Sequence, residues 1–277
     1  TIISMLVTSI YNMADTFFVG MLRSNAATGA VGVVFSMMAV IQAVGFFFGH
    51  GSGNFISREL GRRNTDSASN MAATGFFSAL FTGLLICVFG EIFLTPLAAF
   101  LGSSPTILPY AKDYLRVILI GAPWMTASLV LNNQLRFQGN AIYGPIGIAS
   151  GAVLNIGLDY LLIVSMGMGV DGAALATVLS QLLSGGLCAF WFFTRTAKQE
   201  ELTFRGQSSL LSAGHCKRLA YIGFPMGFEY SVSAIGAVIM QDAINLLGST
   251  AVAAQTAGEK IRQMFTLPME SVGMAMA

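Results

Sequence analysis

The chain has 277 residues, 55% of them hydrophobic and only 10% charged, with fourteen Lys and Arg against thirteen Asp and Glu. An ordinary soluble domain carries about 25% charged residues, so this composition excludes a soluble fold for most of the chain and makes the bilayer its solvent. The net charge of +1 argues against nucleic acid as a partner.

A membrane-crossing helix needs about 20 apolar residues at ~1.5 Å rise each, and eight stretches predict one. Thr1–Met21 comes first, apolar from its opening residue and without the basic n-region of a signal peptide. A turn carrying Arg23 leads to Ala30–Ser57, which runs into Arg58-Glu59-Leu60-Gly61-Arg62-Arg63. Asn70–Phe100 follows, then a connection with Lys112 and Asp113, then Tyr114–Leu135 and a turn at Arg136. Ala141–Met166 and Gly172–Thr194 lie on either side of Asp171. The longest polar stretch, Arg195 to Lys217, precedes Leu219–Leu247 and Ala251–Ala277. The expectation is a piece of a longer membrane protein, its first and eighth helices truncated. β-barrel strands would be about ten residues of alternating polarity, shorter than these continuous runs.

The connections alternate in charge. Arg58, Arg62, Arg63, Arg136, Arg195, Lys198, Arg205, Lys217 and Arg218, nine of the fourteen cations, fall on one side. The positive-inside rule makes that side cytoplasmic, with the N-terminus. Six segments precede the polar stretch and two follow. Ser24-Asn25-Ala26-Ala27-Thr28-Gly29-Ala30-Val31-Gly32 is echoed by Ser249-Thr250-Ala251-Val252-Ala253-Ala254-Gln255-Thr256-Ala257-Gly258. Break and echo together suggest two six-helix halves, a common transporter plan. The predicted division is a first lobe over 1–194, a cytoplasmic linker over 195–217 and the start of a second lobe over 218–277.

Asp159 is the one charged residue between Ala141 and Met166, and Asn155 lies four residues before it on the same helical face. A carboxylate at membrane depth costs at least ~2.5 kcal/mol and marks ion or proton pathways. Carboxylate and carboxamide oxygens suit a hard cation such as Na⁺. The same carboxylate also suits a proton, since burial raises an acid's pKa. The competing reading is a structural polar contact between helices. Asp15 is a second lone acid, on a face shared with Thr8 and Asn12. Thr177, Ser180, Gln181 and Ser184 form a polar stripe on the sixth segment, although such hydroxyls often bond their own backbone. Cys87, Cys188 and Cys216 have no metal-binding spacing. His50, beside Gly49 and Gly51, reads as a packing residue, while Met37, Met38, Phe46, Phe47 and Phe48 are candidates for a chamber wall or plain packing.

Tyr11-Asn12-Met13-Ala14-Asp15-Thr16-Phe17-Phe18-Val19-Gly20 resembles the first-helix motif of the multidrug and toxic compound extrusion (MATE) family. Leu154-Asn155-Ile156-Gly157-Leu158-Asp159-Tyr160-Leu161-Leu162-Ile163 resembles that family's fifth-helix motif, Arg136-Phe137-Gln138-Gly139-Asn140 its preceding loop, and Gly169-Val170-Asp171-Gly172-Ala173-Ala174-Leu175-Ala176-Thr177 the start of its sixth helix. Order and spacing fit along nearly the whole chain. The resemblance implies an all-α polytopic membrane bundle of twelve helices in two six-helix lobes, about eight of them present here. It implies a secondary antiporter exporting organic, cationic compounds in exchange for Na⁺ or H⁺, with no other cofactor. Asp15, Asn155, Asp159 and Thr177 fall on its cation-coupling positions, and they would hold Na⁺ if sodium is the ion. Asn12, Gln181, Glu229 and Gln255 are candidates for the substrate chamber. The family glutamate of the seventh helix lies about one turn deeper than Glu229, where this chain has Ser233. The expected partners are membrane lipid and small organic substrates, for a monomer in a cell membrane of the bacterial inner-membrane type.

The chain has no Walker A motif, so nothing suggests ATP hydrolysis. A flippase for a lipid-linked precursor would favour an arginine-rich groove, whereas this half carries acids at depth. A membrane enzyme would need paired catalytic groups, which the two histidines do not supply. A receptor or scaffold would have no use for two deep acids.

Overall fold

The computed structural model describes residues 14, 17–21, 25–103, 105–138, 143–192, 194 and 213–245, with isolated positions between 255 and 269. Among the described residues seven α-helices run over Asn25–Gly61 (α1), Thr65–Ile92 (α2), Leu94–Phe100 (α3), Leu108–Phe137 (α4), Tyr143–Asp159 (α5), Gly169–Trp191 (α6) and Ala213–Asn245 (α7). A π-helical segment, Tyr160–Ser165, continues α5. Among the described residues, five stretches are long and apolar enough to cross a membrane: Gly29–Gly61, Thr65–Ile92, Leu108–Phe137, Tyr143–Ser165 and Gly169–Trp191. The expected first and eighth segments lie largely outside the described residues.

Local chemistry sets the boundaries. α1 ends on a left-handed residue, Arg63 at φ 60°, with Asn64 N–H bonded to Glu59 O and Arg63 N–H to Leu60 O, both at 2.9 Å. This paired closure satisfies the last carbonyls of a helix. Asn64 then caps α2, its side chain accepting from Ser67 N–H at 3.3 Å. The expected third segment, Asn70–Phe100, is two helices with a break at Phe93. Pro96 explains the break: it has no N–H to give Ile92 O, and its ring clashes one turn back. Pro near its first turn suits the start of α4. The expected fifth segment changes from α to π immediately after Asp159. Gly167 and Gly169, at φ 66° and 63°, turn the chain into α6, which starts before the expected Gly172. α7 begins at Ala213, inside the stretch expected as linker.

α4 is the hub, with 67% of its most apolar window buried against 28% for α1. On α1, Gly45, Gly49 and Gly53 meet Leu129, Asn133 and Phe137 of α4 at a constant offset, so the two helices run parallel. α2 lies antiparallel on another face, where Gly75 meets Gln134, Gly83 meets Thr126 and Gly90 meets Leu119. α6 packs on α4 through Val178 at Gly121 and Gly185 at Ser128, and α5 packs antiparallel on α6. Small residues permit such close approach, the usual basis of helix association in lipid.

The apolar core is divided in two. One cluster includes Val34, Ile41, Leu115, Ile118, Ile163 and Val170. The other includes Ile56, Met71, Leu131, Leu135, Phe192 and Leu219. Along each helix, buried polar residues lie between the two: Ser52 and Thr74, Thr126 and Ser128, Asn155 and Asp159, Thr177 and Ser180. The bundle therefore has a polar belt between its apolar ends.

Candidate cation-coupling site

α5 carries Asn155 and Asp159 inward within this belt, at 1% and 0% exposure. α6 is their neighbour. Gly147 meets Ser184 and Cys188, and Gly151 meets Ser180 and Ser184. Continuing that antiparallel register puts Asn155 at the level of Thr177. Thr177 is buried, and its hydroxyl donates to Ala173 O at 3.1 Å, which leaves the oxygen lone pairs available. Ser180 likewise donates to Ala176 O, and to Thr177 O at 3.1 Å.

Neither Oδ1 nor Nδ2 of Asn155 has a hydrogen-bond partner among the described residues. Buried amides are nearly always bonded, and an exception calls for an explanation such as an ion or water. The oxygens of Asp159, Asn155 and Thr177 are hard donors of the kind that alkali and alkaline-earth cations take. The residues present therefore fit a hard cation or a proton on Asp159. No cluster of three His, Cys, Asp or Glu with metal-binding geometry occurs among the described residues.

Asp15 and Asn12 lie outside the described residues, so the expected meeting of the first segment with α5 and α6 is not visible. Gln181 is half-buried on α6, and Gln255 is half-buried at an isolated position. Glu229 is exposed on α7. His50 is a packing residue, stacked on Phe46 at 5.4 Å and edge-on to Phe137 at 5.7 Å. Met37 belongs to the first apolar cluster.

Sequence reasoning missed three consecutive carboxamides on α4. Asn132, Asn133 and Gln134 are all buried. Gln134 Nε2 donates to Ser52 Oγ on α1 and to Ala72 O on α2, each at 3.1 Å. Asn132 Nδ2 donates to Gly144 O at the start of α5 at 3.1 Å, and Asn132 Oδ1 accepts from Arg136 Nη2 at 3.3 Å. Asn133 Nδ2 donates back to Leu129 O at 2.8 Å. A run of three amides in an apolar segment was the available signal, and the first and third tie helices together.

Comparison with known proteins gives the family and the fold. The MatE family profile matches residues 1–161. Multidrug export protein MepA of Staphylococcus haemolyticus is 29% identical over 251 residues, 91% of this chain and 55% of that protein. MepA of Staphylococcus aureus is 27% identical over 190 residues, 69% of this chain and 42% of that one. The chain thus spans about half the length of the curated relatives it matches. A MOP superfamily transporter from Pyrococcus furiosus, for which reversed polarity of the binding pocket suggests a different function, superposes with TM-score 0.86 at 29% identity, covering 96% of this chain and 59% of the other. An outward-facing multidrug resistance MATE transporter gives TM-score 0.86 at 28% identity, covering 97% and 59%. The chain belongs to the MatE family and is a multi-pass α-helical protein of the cell membrane.

Proposed function

We propose that the full-length protein is a secondary multidrug exporter, moving organic cations outward in exchange for Na⁺ or H⁺. The observation that carries this reading is the pair on α5: a fully buried Asp159 and a buried Asn155 whose amide has no partner among the described residues. Asp159 takes the cation or proton, Asn155 Oδ1 and Thr177 Oγ1 add oxygen ligands, and Asp15 completes the set from the first segment. Neutralising the carboxylate changes the energy of exposing the site to either side. Coupling follows when the two states of the protein bind the cation with different affinity. Residues 1–194 form the first lobe in this reading, α7 opens the second, and Gln181, Glu229 and Gln255 with Asn12 contribute to a chamber between them. The protein works as a monomer and needs no cofactor beyond the coupling ion. The acid at depth favours cationic cargo over the anionic headgroup a flippase would handle.

The test is dye efflux by the full-length protein in vesicles, with Na⁺ and pH gradients imposed separately. One gradient drives export in the wild type and neither does so in Asp159→Asn, with the variant folded and inserted. Wild-type rates from Asp159→Asn across the pH range would remove Asp159 from the coupling role.

A further inference from the structure

α1 lies between two partners. Its Gly45, Gly49 and Gly53 face α4, and the opposite side meets α7 in a second glycine contact. A Cβ at Gly51 would lie 2.8 Å from Leu219 O, and one at Gly223 would lie 2.3 Å from Phe47 O. The backbones therefore touch. Phe47, Gly51 and Phe55 are spaced by four, as are His215, Leu219, Gly223 and Gly227, so two i±4 ridges interlock in antiparallel register. At the end of the seam His215 sits edge-on to Phe55 at 5.9 Å, and the Arg218 guanidinium lies 5.8 Å above the same ring.

This register brings together cations that are far apart in sequence. Arg58, Arg62 and Arg63 at the end of α1 lie at the same end of the bundle as Lys217 and Arg218 at the start of α7, and all five are exposed. The acid among them, Glu59, is 7% exposed and already engaged, accepting from Arg62 Nη1 at 3.0 Å and from Asn64 Nδ2 at 2.8 Å. Among the described residues Arg58, Arg63, Lys217 and Arg218 have no carboxylate partner. Like charges gathered at one end of two helices whose backbones touch oppose the contact that assembles them. An anion seated between them reverses that sign.

We propose that this corner is a headgroup site for an anionic phospholipid of the cytoplasmic leaflet, which bridges α1 and α7 and holds their seam closed. Charge and position both select a lipid. The positive-inside pattern puts the corner on the side where anionic lipids gather, and clusters of four or more Lys and Arg beside a membrane helix are the usual recognition surface. Below Lys217 on the same helical stripe lie Tyr221, Phe224 and Phe228, at 84%, 63% and 59% exposure, with Phe224 stacked on Phe228 at 5.8 Å. That apolar strip suits an acyl chain and offers nothing to a soluble anion. The inference concerns the seam and holds whichever ion drives transport.

The experiment uses the full-length protein in nanodiscs of phosphatidylcholine alone or with phosphatidylglycerol. Cys216 lies beside His215 at the seam and is half-buried. With Cys87→Ser and Cys188→Ala as background, its maleimide labelling rate reports opening without requiring transport. The expected result is labelling slowed at least about fivefold by phosphatidylglycerol. The slowing is lost in the combined variant Arg58→Gln, Arg63→Gln, Lys217→Gln, Arg218→Gln and kept when the three arginines become lysine. Equal labelling of Cys216 in the two lipids with the arginines and lysine intact, in a Cys87→Ser, Cys188→Ala background that exports dye like the wild type, would overturn the proposal. Slowing by soluble glycerol phosphate in phosphatidylcholine discs would overturn the lipid assignment and make the site one for a free anion.

Discussion

Replacing Asn155 with Leu tests whether the site was built for a ligand or for packing. Asn155 is 1% exposed and both polar atoms of its amide lack partners among the described residues. A buried polar group left unbonded costs about 1–3 kcal/mol. Leu is of similar size, and its insertion orphans nothing, because Thr177 already donates to Ala173 O and Ser180 to Ala176 O. Imperfect shape returns up to about 1.5 kcal/mol. The ligand-free variant is therefore as stable as the wild type or more so, by up to about 2–3 kcal/mol. Thermal unfolding of the full-length protein in detergent measures this, in sodium-free buffer and with the coupling ion added as Na⁺ or protons. The ion raises the melting temperature of the wild type and not of Asn155→Leu, and export by the variant falls at least tenfold. A variant less stable than the wild type by more than about 1 kcal/mol in ion-free buffer would show that the amide serves packing, and the reasoning would fail.

Four other perturbations address the frame around the site. Gly223→Ala places a Cβ 2.3 Å from Phe47 O, about 1 Å inside the ~3.3 Å contact limit, and lowers thermal stability by about 1–3 kcal/mol despite a helix-propensity gain near 1. Gly227→Ala meets the Phe47 side chain and no backbone among its three nearest atoms, at 2.8 Å from Cδ2 and 3.2 Å from Cβ, and lowers stability by less than Gly223→Ala in the same melt. Gln134→Leu loses its bonds to Ser52 Oγ and Ala72 O and lowers the melting temperature by the equivalent of about 1–3 kcal/mol. Burial, then Arg218, hold His215 below its ordinary 6.5, with Glu59 opposing. Below that value the unfolded chain takes up a proton the folded one resists, so stability falls as pH drops from about 6.5. Melts of His215→Asn show a shallower fall over that window.

The lone acid in an apolar run singled out Asp159 and Asn155, and both are buried; lipid penalises a charge so strongly that such an acid is expected to face inward. Segment length alone located α1, α4, α5 and α6. Long-range pairing was illegible. Gln134 reaches Ser52 and Ala72, distant in sequence, and no local pattern announces which amide will cross a helix interface. The start of α7 was misplaced for a related reason. His215 and Lys217 read as polar linker, yet they are helical, and Phe55 of α1 gives the His215 imidazole and the neighbouring Arg218 guanidinium a surface to lie on. The π segment has the same apolar composition as the helix before it, so hydropathy has no means of separating the two. The break at Phe93 was readable from Pro96, whose effect one turn upstream was outweighed by the apolar run around it.

The polar belt divides by what its members bond. Thr126 donates to Ala79 O on the neighbouring helix at 3.0 Å as well as to its own. Ser52 donates to Phe48 O at 2.7 Å while receiving Gln134. Thr74 closes on Asn70 O at 2.7 Å. These contacts lie on α1, α2 and α4, and they fix the three helices to one another in the low-dielectric interior where such bonds are strongest. α5 and α6 present a different face. Their contact runs through Gly147, Gly151, Ser180 and Ser184, with hydroxyls turned back to their own helices, and Asn155 left unbonded among the described residues. In the proposed coupling, a ligand at Asp159 and Asn155 acts where α5 and α6 meet through small residues, beside a trio cross-linked by Gln134 and Thr126. Ion binding should therefore change the α5–α6 packing first, with α1, α2 and α4 as the fixed reference against which that change does work.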